Sequence, residues 1–117
     1  MTTFTVEELD EMADRARRVA EGGYDLPDKS QVAKLSEFAR STPSVGELLL
    51  FIRYQGSRAS QKQQQFFEAT ANAIEDLRKQ GSGEAIERAR RFLGLLVRAT
   101  VVARQNRSSR VERGGGR

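Results

Sequence analysis

Three times within its first 47 residues the chain sets Thr, Asp or Ser three positions ahead of Glu or Gln: Thr5 with Glu8, Asp28 with Gln31, Ser44 with Glu47. Such a pair caps a helix, because the first side chain accepts from the backbone N–H three residues on while the acid or amide reaches back to the cap's own N–H. Each pair opens onto an apolar pattern spaced at three and four residues. The spacing therefore predicts a chain of amphipathic helices rather than strands.

The first helix begins after Thr5, with Phe4 and Leu9 at the positions of a hydrophobic staple. Val6, Leu9, Met12, Ala13, Ala16, Val19 and Ala20 fall on one arc, and Glu7, Glu11, Asp14 and Arg18 take the other. Gly22 and Gly23 supply its stop. A second helix opens at Asp28 and buries Val32, Leu35 and Phe38. It ends at Thr42, because Pro43 disfavours helical geometry in the residue before it. In the third, Leu48 to Ile52 are apolar on nearly every side and are expected to be nearly all buried, and Gly56 is expected to close the helix with Arg58 just beyond. Leucine outnumbers β-branched residues there and no other segment offers a strand to pair with, which favours a helix over a buried strand.

A fourth helix, from about Ser60 to Gln80, turns Phe66, Thr70, Ala73, Ile74 and Leu77 to one face. Gly81, Ser82 and Gly83 form a joint, and a fifth helix runs from about Glu84 to Gln105. Its core face is Ala89, Phe92, Leu96, Ala99 and Ala103, yet Leu95, Val97, Val101 and Val102 lie elsewhere on the same wheel. A helix apolar nearly all round is central in its domain or docked on a neighbour. Those four side chains are accordingly expected to be covered, by helices of their own domain or by a neighbour. The fold class expected is all-α: a compact bundle of about five helices in a single domain, residues 1–105, with a basic, disordered tail over 106–117.

The chain has neither cysteine nor histidine. This removes disulfides, thiolate metal sites and the commonest general base, and no phosphate-binding loop or nucleophile triad is present. The carboxylate pairs Glu7/Glu8, Asp10/Asp14 and Glu75/Asp76 sit on expected solvent faces without a partner to split acid and base roles. A binding protein without catalysis, metal or cofactor is expected. The first residues have no basic stretch followed by an apolar core, and no segment has the length of a membrane-spanning helix. A cytoplasmic protein without membrane contact is the expectation.

Charge is distributed unevenly. Residues 1–30 hold eight acids and four bases, whereas 81–117 hold three acids and nine bases, every one an arginine. The planar guanidinium suits phosphate, so an anionic partner at the C-terminal half is expected, although arginines on a solvent face are also routine. Arg91 and Arg98 are seven residues apart, on one helix face and about 10.5 Å apart along the axis. Arg88 lies one turn before Arg91, where Glu84 can also pair with it. Arg53 and Arg58 join the same surface if the third and fifth helices pack together. Tyr54, between those two, offers a face on which a base can stack, or a packing residue with its hydroxyl at the surface.

FIRYQGSR at 51–58, a phenylalanine-containing amphipathic helix, and RFLGLLVRATVVARQ at 91–105 follow one another in an order that resembles the small helical subunit of type III-A CRISPR-Cas effector complexes. Members of that family tend to carry an arginine-aromatic run ending in Tyr-Gln-Ala-Gly-Arg and a last helix rich in Phe, Leu and Ala. FTVEELDEM also looks like the family's first helix. The likeness covers most of residues 3–105 in pattern and order more than in identity. Gly56-Ser57 stands where Ala-Gly is usual and the last helix lacks the usual Ala-Tyr ending, which leaves the subtype open. The resemblance implies a non-catalytic subunit that self-associates along a filament, contacts other effector subunits, and lines the groove where guide RNA and target RNA pair, with Leu95, Val97, Val101 and Val102 then expected at a subunit interface. Arg58 is the residue carried over from the family's motif, whereas Arg53, Arg88, Arg91 and Arg98 follow from helix faces. Two other classes fit a small basic helical chain: a helix-turn-helix DNA-binding regulator, its turn at Ser41 to Ser44, and an adaptor that binds protein through the apolar surplus.

Overall fold

The computed structural model describes residues 4–80 and 84–115, with side chains described through Ser108. Five helices follow in order: α1 (Val6–Ala20), α2 (Lys29–Ser41), α3 (Val45–Arg58), α4 (Gln61–Gln80) and α5 (Ala85–Gly115). No strand occurs among the described residues, and the fold is all-α. The expected joint at residues 81–83 lies outside the described residues.

The capping pattern is the local cause of the first three helices. Thr5 accepts from the Glu8 N–H while Glu8 accepts from the Thr5 N–H, and Asp28 and Gln31 repeat the exchange. At α3 Ser44 accepts from the Glu47 N–H. The first helix ends through Glu21, followed by Gly23 at φ 83°, a left-handed conformation that glycine adopts without cost. Thr42 in extended geometry ends α2 ahead of Pro43.

Helix α5 is the centre of the bundle. It packs against α1, α2 and α4, while α3 packs chiefly on α4 and meets α5 at few points. Ala89, Phe92, Leu93 and Leu96 are fully enclosed among Met12 and Ala16 of α1, Val32 and Leu35 of α2, and Phe66, Ile74 and Leu77 of α4. Its apolar excess is thereby explained, since neighbours on several sides bury more than one stripe. Leu95 and Val97 pack at the edge of this core, Val101 is half-buried, and Val102 is 54% exposed. The helix also continues past Gln105, where the sequence pattern placed its end. Arg107 donates to the carbonyls of Tyr24 and Ala20, so the polar stretch after Gln105 has a tertiary anchor that periodicity does not register.

Two expectations for α3 are corrected. Leu48, Leu49 and Ile52 are buried, but Leu50 is 71% exposed, because α3 lies at the side of the bundle and has only one covered face. Gly56 does not close the helix; the cap is Ala59 and Arg58 belongs to the last turn. Gly56 is instead a buried contact point with α4, where an added Cβ would stand 2.8 Å from the Phe67 Cβ. The stacked rings of Phe38 and Phe51, 4.1 Å between centroids, join α2 to α3.

Gly56→Ala is expected to destabilise the fold. The helix propensity gain is about 1 kcal/mol, while forcing α3 from α4 costs roughly 1–3 kcal/mol. A lowered urea midpoint is the readout. Acid unfolding follows from three carboxylates. Glu8 is held below the ordinary 4.5 by the Thr5 N–H and Arg88, Glu11 by Gln80 and Arg15, and Asp28 below 3.8 by Ser30 and the Gln31 N–H. A depressed carboxylate contributes stability above its unfolded pKa and loses it as pH falls through the folded one. With no histidine to titrate, the urea midpoint is expected to be flat from about pH 6 to 8 and to fall below about pH 4.5.

Candidate functional site

The arginines of α5 divide by what they touch. Arg88 is 12% exposed at its side chain. It donates to Glu8 at 2.7 Å, stands 4.0 Å from Glu84, and lies over the Phe4 ring, 5.4 Å from the centroid. It fastens the start of α5 to the start of α1 and does not present its charge to solvent. The pairing with Glu84 read from the sequence is present, but the closer partner comes from the far end of the chain. Glu8 and Asp76, read as solvated acids, likewise have partners, Arg88 and Arg15.

Arg90 closes the end of α2. Its Nε donates to the Ala39 carbonyl at 2.8 Å and its Nη2 to the Thr42 carbonyl at 2.9 Å, while Nη1 pairs with Glu87. Helix C-termini leave carbonyls without intrahelical partners, and a guanidinium there satisfies them and meets the negative end of the helix dipole. The result places the last turn of α2 beside the first turns of α5.

That junction forms a cleft of about 330 Å³ whose lining includes Arg40 and Ser36 of α2 and Arg90, Arg91, Gly94 and Arg98 of α5. Four arginines face one glutamate, Glu87, and Glu87 is already engaged by Arg90. Arg40, Arg91 and Arg98 are exposed and make no ion pair among the described residues. The cleft is therefore a concentration of positive charge with an apolar margin at Phe4 and Leu95. Sequence reading found Arg91 and Arg98 and missed Arg40 and Arg90. Arg40 carries a local signal, a base in the final turn of a helix; its meeting with α5 is tertiary and has none.

Arg53 and Arg58 do not join this surface, because α3 lies against α4. Arg53 lines a separate cleft with Gly56, Gln64, Phe67 and Glu68, so its surroundings are of mixed charge. Arg58 lies over the exposed Tyr54 ring, 5.5 Å from its centroid. The expected subunit-interface residues Leu95 and Val102 line a further groove between α1 and α5, about 320 Å³, with Ala13, Ala99 and Ala103. No cluster of three or more metal-binding side chains occurs among the described residues, and no helix there is long and apolar enough to cross a membrane.

Comparison with protein-family models, with curated proteins and with solved structures returns no match to this chain.

The division between structural and surface arginines has a thermodynamic consequence. Arg90→Ala removes two charged-group hydrogen bonds to helix-end carbonyls and is expected to cost about 1.5–3 kcal/mol. Arg91→Ala is expected to stay within roughly 0.5 kcal/mol of the parent chain. Chemical denaturation of the two variants side by side checks this.

Proposed function

We propose that the protein is a non-catalytic, nucleic-acid-contacting small subunit of an RNA-guided CRISPR-Cas effector complex, working in the cytoplasm. The observation that carries the reading is the α2–α5 cleft, where Arg40, Arg91 and Arg98 stand without carboxylate partners among the described residues. In an RNA-guided complex base pairing reads sequence, so a protein subunit need supply shape and charge. Guanidinium groups on a rigid helical frame suit that task. The order of motifs from residue 51 to 105 supports the same assignment by resemblance. Guide RNA and target RNA are the nucleic-acid partners, and other effector subunits and further copies of this chain the protein partners. The exposed pair of Tyr54 and Arg58 on α3 offers a second point of contact.

The α1–α5 groove favours one other reading, an adaptor that binds protein through Leu95, Ala99 and Val102 while its arginines only keep it in solution. The two readings differ in their response to salt. Under the first, the protein binds random-sequence single-stranded RNA, and log K falls against log salt with a slope of about −2 for three phosphate contacts. The triple variant Arg40→Ala, Arg91→Ala, Arg98→Ala is expected to abolish that binding. RNA binding that is indifferent to salt, or unchanged in the triple variant, contradicts the proposal. In the native setting, co-purification of an RNA of discrete length is expected.

A further inference from the structure

Helix interiors rarely carry glycine, which costs about 1 kcal/mol relative to alanine. The described helices contain Gly46, Gly56, Gly94, Gly114 and Gly115 within their spans; Gly56 lies in the last turn of α3, and Gly94 lies well inside α5. For Gly56 the fold supplies the reason, since Phe67 occupies the space of a Cβ. Gly94 has no such reason: a Cβ added there meets nothing within 4 Å. Its bare backbone instead forms part of the arginine-lined cleft. Arg91, Gly94 and Arg98 are spaced three and four residues apart, so the glycine lies between the two cations on one helix face. Arg40 stands on the α2 side of the same cleft, held near by the Arg90 bonds to Ala39 and Thr42.

We infer that a nucleic-acid strand crosses α5 at Gly94, its sugar-phosphate backbone seated against the bare helix and its phosphates shared among Arg40, Arg91 and Arg98. The inference rests on the nucleic-acid reading above and adds to it a path and a residue. Glycine is the residue that lets one backbone approach another closely. The arginines on either side are about 10.5 Å apart along the helix, a span from which the two guanidinium groups can reach two phosphates of one strand. Phe4 and Leu95 at the margin give the ribose or base an apolar surface.

The test uses the full chain and fluorescent oligouridine, read by anisotropy at low salt, with uridine monophosphate as competitor. Gly94→Leu fills the cleft without entering the core, so it is expected to keep or raise the thermal midpoint and to weaken RNA binding at least about tenfold, or 1.4 kcal/mol. Gly94→Ala, a single methyl in open space, raises the midpoint and weakens binding to a smaller degree, which keeps the test valid should the leucine variant fold poorly. Lys62→Ala, an exposed base on α4 outside the cleft, is expected to alter binding by less than about twofold. Parent-like affinity in both Gly94 variants, with binding still lost in the arginine triple variant, overturns the seat at Gly94 and leaves the functional proposal standing. Uridine monophosphate competing as well per nucleotide as oligouridine overturns the strand in favour of a free nucleotide. No binding by the parent chain overturns both readings.

Discussion

The guanidinium of Arg90, donating to the Ala39 and Thr42 carbonyls, holds the end of α2 against α5 and so sets where the surface charge can gather. A helix end brought into the body of a protein must find donors for its last carbonyls. Here the central helix provides them. Arg107 does the same for α1 through the Ala20 and Tyr24 carbonyls, and Arg88 ties the opposite end of α1 through Glu8. These contacts join residues far apart in sequence. They orient the neighbours of α5 beyond what apolar packing, which has little directional preference, can specify.

The arginine excess of the C-terminal segment therefore has two uses. Arg88, Arg90 and Arg107 hold helices together, and Arg91 and Arg98 remain at the surface with Arg40 opposite. The two uses are linked, because Arg90 bonds the end of the helix that carries Arg40. The interior glycines divide in a parallel way. Gly56 lets α3 and α4 approach, whereas a Cβ at Gly94 would meet nothing within 4 Å, and its bare backbone lines the cleft.

Much of the fold was legible because its causes are local. Thr5 with Glu8, Asp28 with Gln31, Ser44, and the Thr42-Pro43 step marked starts and stops through hydrogen bonds and sterics within a few residues. Most of the buried faces of α4 and α5 followed from spacing, although the buried Phe67, Ala71 and Leu93 were not among the residues it picked out. Gly56 was misread because a glycine beside a helix end has two physical uses, a turn or a close approach, and only the position of Phe67 separates them. Leu50 was misread because an all-apolar run shows no face until its neighbours are placed. For the candidate site, Arg91 and Arg98 were legible as one helical face. The structural use of Arg88 through Glu8, and the meeting of Arg40 with α5, depend on contacts between distant segments and left no sequence signal.

Nuclear magnetic resonance titration of the isotopically labelled chain with single-stranded oligouridine tests the central claim most directly. The account predicts that the largest shifts fall on the backbone amides of Arg91, Gly94 and Arg98 and on Arg40, and fade as salt is raised. Shifts confined to α3 around Arg53 and Tyr54, or to the groove at Ala99 and Val102, would contradict it.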